Sequence, residues 1–267
     1  MTGVDRDAAV EFACTAAIAA GAAILPHFRA RIAVDDKAAG RGSYDPVTEA
    51  DRAAEHVIRA AIARAYPGHG IHGEEHGRQA GREPWTWVID PIDGTRSFIL
   101  GQLHWATLIA LNDGTRPVVG VTHQPFVGET FVGVAGGAAE WRRGSERRML
   151  ATRRCTAVAE AVVATTDPRH FVSERQRAAY DVATDGARMV RFGGDCYCYT
   201  QLAMGLVDIV IETGLQAYDI QSLIPLIEAA GGVVTSWTGG PCDQGGDVLA
   251  CGDPHLHARL VARMPAR

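Results

Sequence analysis

The residues best equipped for chemistry in this chain are Asp90 and Asp93, in the stretch Asp90-Pro91-Ile92-Asp93-Gly94-Thr95. It closes an apolar run, residues 85–89, whose length and content of tryptophan and β-branched residues read as a buried strand. Two carboxylates three residues apart at a strand end each disfavour the ionised form of the other unless positive charge sits between them. A divalent cation supplies that charge most simply, because hard cations take carboxylate oxygens. Gly94 and Thr95 would let the backbone turn tightly and offer N–H groups and a hydroxyl to the same spot. The competing reading is an Asp-Pro turn with a solvated second aspartate. No G-x-S-x-G elbow or comparable nucleophile signature occurs.

The elements that must position these acids follow from periodicity. Residues 4–28 carry small and apolar residues on a helical stripe ending near Pro26, and residues 34–44 read as a polar loop. Thr48 is placed to cap a second helix, with Asp51 three residues on; capping alone explains those two and leaves Asp45 unexplained. The helix runs to Tyr66, where Pro67-Gly68 stops it. Residues 70–77 form a short extended segment ending in Glu74-Glu75. Running beside the 85–89 strand, it would bring Glu74 to the same sheet edge as Asp90 and Asp93. Residues 78–84 read as an exposed loop, and residues 97–99 as a short helix whose N-terminus faces Asp93.

Four strands, 105–111, 118–124, 130–134 and 138–141, separated by turn residues, predict an antiparallel meander. The basic tract 142–154 reads as a charged loop or edge strand. Strands at 161–165, 189–192, 207–212, 233–237 and 248–251 then alternate with helices at 174–182, 197–205, 219–230 and 254–262. This gives an N-terminal α+β subdomain over 1–150, holding the metal motifs and the antiparallel sheet. A C-terminal α/β subdomain covers 151–267, and the two make one compact functional unit.

Composition bounds the rest. The 267 residues, 47% hydrophobic and 21% charged, suit a globular protein with a sizeable core. A net charge of −5 argues against general nucleic-acid binding. No uninterrupted apolar run of about 18 residues predicts a membrane span, and the N-terminus lacks a signal-peptide pattern. Six cysteines without zinc-like spacing point to a reduced, cytoplasmic protein.

Four segments together resemble the inositol monophosphatase superfamily of Mg²⁺-dependent, lithium-sensitive phosphomonoesterases. They are Asp45-Pro46-Val47-Thr48-Glu49-Ala50-Asp51, Gly73-Glu74-Glu75, residues 87–95, and Ala217-Tyr218-Asp219-Ile220 with Glu228-Ala229-Ala230-Gly231-Gly232. The resemblance covers nearly the whole chain. It implies a layered α-β-α-β-α sandwich, a homodimer, and two or three Mg²⁺ ions per site, with Mn²⁺ as a substitute and inhibition by Li⁺. Carried over by position, Glu74 and Asp90 would hold the first metal with the Ile92 carbonyl. Asp90, Asp93 and Asp219 would hold the second, and Glu74 the third. Asp45 and Thr95 would orient the attacking water with help from Thr48. Gly94 and Thr95 would cradle the phosphate, and Lys37, the sole lysine, would lie on a loop near substrate and metals or on the bare surface.

The stretches Gly94-Thr95-Arg96-Ser97-Phe98-Ile99, Gly193-Gly194-Asp195-Cys196-Tyr197 and Tyr218-Asp219-Ile220-Gln221 resemble the histidinol-phosphate phosphatase branch. Asp45, where that branch commonly has Ser or Thr, departs from it. A substrate bearing an ammonium and an imidazole gains from acids beyond the metal ligands, which makes Asp195 and Glu212 candidates. Arg96 and Arg191 are further candidates for phosphate or the substrate rim. For Arg191, Asp195 and Glu212 a structural ion pair competes as an explanation. Hydrolysis of L-histidinol phosphate is the expected activity. An inositol-1-phosphate or broad sugar-phosphate monophosphatase is the enzymatic alternative, and a non-catalytic phosphate-ester-binding relative is the alternative of another class.

Overall fold

The computed structural model describes residues 4–37 and 46–266. Helix α1 (Arg6–Ile24) begins at Asp5, whose side chain accepts from the Asp7 and Ala8 N–H groups. Residues 6–27 are long and apolar enough to cross a bilayer. In the fold, the buried face formed by Ala9, Ala13, Ala16, Ala17 and Ala20 belongs to the first core cluster. Strands β1 (Val34–Asp36) and β2 (Pro46–Thr48) pair antiparallel, so part of the expected 34–44 loop is a ribbon. Helix α2 (Glu49–Ala65) carries the expected capping box: Thr48 accepts from the Ala50 N–H, and Asp51 accepts from the Thr48 N–H at 2.8 Å.

There follow β3 (Gly70–Gly73), β4 (Gly77–Gln79), β5 (Thr86–Asp93), α3 (Thr95–Ile99), β6 (Ala106–Asn112), β7 (Pro117–Gln124), β8 (Glu129–Val134), β9 (Ala139–Arg143) and β10 (Glu146–Met149). They form an eight-stranded sheet in the order β10-β9-β8-β7-β6-β5-β3-β4. The meander is as expected, and the basic tract supplies β10 as an edge strand. The segment taken for an exposed loop contributes β4, the opposite edge.

The rest comprises β11 (Val162–Thr165), α4 (Glu174–Thr184), β12 (Met189–Phe192), α5 (Cys196–Ala203), β13 (Ile209–Leu215), α6 (Ala217–Ile220), α7 (Leu223–Ala229), β14 (Val233–Ser236), β15 (Gly246–Cys251) and α8 (Pro254–Val261). The second sheet has the order β12-β11-β13-β15-β14, parallel on the β12 side and antiparallel on the β14 side. The helix expected over 219–230 is two helices. Pro225 has no N–H to give, and in a continuous helix its ring would strike the residue 221 carbonyl. The break at Gln221–Ser222 makes it the third residue of α7.

Three hydrophobic clusters define the layers. Helices α1 and α2 pack on one face of the first sheet; α5, α6 and α7 lie between the sheets; α4 and α8 cover the outer face of the second. This is the expected α-β-α-β-α sandwich. All six cysteines are free thiols and buried. The central helix layer comes close to the first sheet because Gly120 on β7 and Gly133 on β8 are register partners without side chains. A Cβ on Gly120 would overlap the Ser222 carbonyl, and one on Gly133 the Leu226 backbone.

Candidate metal centre

Side chains three apart on a regular strand point to opposite faces. Asp90 and Asp93 escape this because β5 pairs with β6 through a register shift: Asp90 lies opposite Leu108 and Asp93 opposite Ala106. Three steps on one strand match two on the other, which is a bulge, and the extra residue brings both carboxylates to one side. Thr107 stabilises it by donating its hydroxyl to the Pro91 carbonyl at 2.8 Å. Gly94 then takes a left-handed φ of 85°, where a Cβ would overlap the His104 carbonyl, and opens α3.

Two further acids join them. β3 runs parallel to β5, and the Glu74 N–H donates to the Ile89 carbonyl at 3.2 Å, so Glu74 reaches the sheet edge as expected. Glu55 of α2 fastens this turn, accepting from the Glu75 and His76 N–H groups at 2.7 and 3.1 Å and pairing with Arg59. Asp219 sits in the first turn of α6, where its Oδ2 accepts from the Gln216 N–H at 2.7 Å. One carboxylate oxygen from each of Asp90, Asp93 and Asp219 lies within 4.8 Å of the others. Oδ1 of Asp90 is buried without a hydrogen-bond partner.

Burial first, then the carboxylates of Glu74, Asp93 and Asp219, push Asp90 well above the usual carboxylate range. Burial and Asp195 raise Asp93; burial and Asp93 raise Asp219. Oxygen donors so crowded, one of them orphaned, fit a hard divalent cation, which would hold all of them ionised. Lys37 pairs with Glu74 at 2.7 Å and with Glu75 at 2.5 Å.

Thr95 has its hydroxyl 3.0 Å from the Ile92 carbonyl and 3.5 Å from Asp51 Oδ1. Asp51 is the residue that sequence reasoning missed. Its capping role engages Oδ2 alone, with the Thr48 N–H and hydroxyl at 2.8 and 2.5 Å, and leaves Oδ1 turned to Thr95. Burial lifts its carboxyl to about 6 against the lowering effect of the Thr48 bonds. The usable signal was its place one helical turn inside the capped end. Thr48 touches Asp51 and is absent from the cleft lining. Asp45 lies outside the described residues.

Above the acids opens a cleft of about 450 Å³ whose far wall comes from the second half of the chain. Asp195 precedes α5 with a strained φ of 45° and accepts from the Ser97 hydroxyl at 2.9 Å; the next N–H, of Cys196, donates to Asp93 at 2.8 Å. Burial raises Asp195 in spite of that bond and of the nearby His104, Arg96 and His170. Glu212 is buried on β13, accepting from the Thr166 N–H at 2.6 Å and the Thr165 hydroxyl at 3.3 Å, and burial carries it to about 8. Gly94, Thr95 and Arg96 line the opposite side. Arg191 is a correction to the expected substrate rim. It lies exposed on edge strand β12, beside Ala164 in register, and contributes nothing to the cleft lining.

The arrangement suits binding a phosphate dianion beside divalent cations, with acids left over for the rest of a ligand. Comparison with known proteins agrees. The chain is 38% identical to the bifunctional phosphatase IMPL2 of Arabidopsis thaliana, over 97% of this chain and 75% of that one. It is 33% identical to a histidinol-phosphatase of Streptomyces coelicolor, over 93% and 94%. The solved structure of an inositol monophosphatase from Zymomonas mobilis superposes with a TM-score of 0.85 at 36% identity, covering 98% of this chain and 99% of that one. The sequence profile described as "Inositol monophosphatase family" matches residues 5–266. On fold, acidic cluster and sequence together, this chain belongs to the inositol monophosphatase family of phosphatases.

Proposed function

We propose that the protein hydrolyses the phosphomonoester of a small cationic alcohol, with L-histidinol phosphate the foremost candidate, using Mg²⁺. The observation that carries this is the pair Asp195 and Glu212, two acids in the cleft wall beyond the metal-binding group. A neutral polyol gains little from two extra buried acids, whereas an ammonium or imidazolium returns them to the charged state and is held by both. The histidinol-phosphatase name of the Streptomyces relative supports the same reading.

Glu74, Asp90, Asp93 and Asp219 would hold the cations, with the Ile92 carbonyl available beside them. When bound, divalent cations supply positive charge against the phosphate and acidify a water. The chain does the rest. The Thr95 hydroxyl has a single proton and two acceptors, Ile92 O and Asp51 Oδ1. Given to Asp51, that proton leaves the Thr95 oxygen free to accept from an attacking water. The first N–H groups of α3 have no carbonyl partner inside the helix, and a phosphate oxygen is the kind of acceptor that such a helix start takes.

The test is kcat/KM for L-histidinol phosphate and inositol-1-phosphate on one preparation. The expected ratio favours histidinol phosphate by at least about 100-fold, the scale on which a site with buried polar groups discriminates. A ratio near one or below would make the protein a polyol or broad sugar-phosphate phosphatase. No turnover of any phosphate ester would leave the binding-protein reading.

A further inference from the structure

Two segments 98 positions apart in sequence meet at one corner of the cleft: the start of α3, just after β5, and the start of α5. Three contacts make the corner. The Ser97 hydroxyl donates to Asp195 Oδ2 at 2.9 Å, and the Cys196 N–H donates to Asp93 Oδ2 at 2.8 Å. Gly94 comes so near that a Cβ on it would lie 3.3 Å from the Asp195 Cβ. Asp195 lines the cleft, whereas Ser97 is buried behind it and is absent from the lining.

Asp195 is held in this place against two opposing effects. Its backbone, with φ 45° and ψ −137°, lies in a region that glycine tolerates and side chains avoid. Its carboxylate also faces a like charge, since Asp195 is the charged group that most raises Asp93. A carboxylate so placed is favoured to swing away. The Ser97 hydroxyl opposes the swing, and among the described residues it is the side chain from which Asp195 accepts a hydrogen bond. It engages Oδ2 and leaves Oδ1 to a ligand. Helix capping does not account for the arrangement: Asp195 precedes α5, yet its side chain accepts from no N–H of that helix.

We infer that Ser97 is a positioning residue that sets substrate choice, by fixing the Asp195 carboxylate where it meets the cationic end of the substrate. This rests on the reading of the cleft as a site for a cationic phosphomonoester. An ester without a cationic group makes no use of Asp195, so loss of the hydroxyl falls on the cationic substrate alone. The contact is made equally in substrate and transition state, so KM carries it and kcat does not.

The experiment measures kcat and KM on the Mg²⁺-loaded full chain with L-histidinol phosphate and with two esters lacking a cation, inositol-1-phosphate and p-nitrophenyl phosphate. Ser97→Ala is expected to raise KM for histidinol phosphate about tenfold, with its kcat and both constants for the other esters changed less than about twofold. Ser97→Cys fills nearly the same space with a far weaker donor and is expected to follow Ser97→Ala; it decides the matter if Ser97→Ala melts well below wild type. The double variant Ser97→Ala/Asp195→Asn is expected to be no worse than Asp195→Asn alone. Equal losses on all three esters would mean that Ser97 serves the metal centre through Cys196 and Asp93, and would overturn the assignment. So would an unchanged KM for histidinol phosphate, a Ser97→Cys variant that behaves as wild type, or additive losses in the double variant. Each of these leaves the wild-type preference for histidinol phosphate over inositol-1-phosphate standing. A wild type without that preference would instead overturn the functional reading, and this inference with it.

Discussion

Asp90, Asp93 and Asp219 carry three carboxylates into a recess where water cannot shield them from each other, and without a cation each is driven toward its protonated form. The site is therefore a local liability that metal converts into a gain, since anything bound by the native state alone stabilises it. Asp93→Asn removes a charge while keeping an oxygen for the Cys196 N–H. In EDTA that variant should melt at or above wild type. With millimolar Mg²⁺ the wild type should gain in melting temperature, the variant should gain far less, and turnover should fall at least about 100-fold. Equal Mg²⁺-induced shifts in a thermal melt would remove Asp93 from the metal site. These acids were legible in the sequence because their type, order and strand context narrow the chemistry. Asp51 was not, because a capping box accounts for the residue while occupying one of its two oxygens. Arg191 misled because a strand's place at a sheet edge is decided by partners far away in sequence.

Between residue and molecule, the elements act through close approach. Gly120 and Gly133 form a groove in which the Ser222–Leu226 backbone rests, and that backbone continues from α6, the helix that presents Asp219. Gly120→Ala should therefore do two things. It should destabilise by about 2–3 kcal/mol through overpacking, and it should weaken Mg²⁺ affinity by displacing α6. A variant that loses stability in urea titration but binds Mg²⁺ as before would separate the groove from the site.

On the other face, His123 of β7 lies beneath α1 with its Nδ1 2.8 Å from the Thr130 hydroxyl of β8. Burial lowers it from 6.5 to about 4, so the unfolded chain takes up this proton first as pH falls. The stability it contributes is present above the unfolded value and is lost between about 6.5 and 4, at most about 3 kcal/mol. His123→Asn should flatten the pH dependence of the wild type by about one proton over that window; an unchanged slope would mean His123 is not held neutral. The meander was readable from turn residues and alternation, and the α6–α7 break from Pro225 once its ring is set against residue 221. The bulge in β5 was not, because a register shift is a property of the pair.

At the scale of the whole molecule, the acids of the candidate metal centre come from the C-terminal ends of β3 and β5 in the first sheet and from the helix layer between the sheets, and the cleft is closed by the second sheet. Layer order was accessible through the resemblance and through the switch from meander to strand–helix alternation. The meeting of the two halves at Arg96 and His170 was invisible, being a contact across 74 positions. The sandwich also hides every thiol. Burial raises Cys14 to about 11 and Cys242 to about 12, and it lifts Cys196, Cys198 and Cys251 well above the ordinary thiol range. Thiolate being the reactive form, a native molecule should ignore an alkylating reagent that consumes all six cysteines after denaturation. Prompt labelling of the native protein would contradict this. Because those cysteines lie in all three core layers, the order in which they become reactive would record which layer comes apart first.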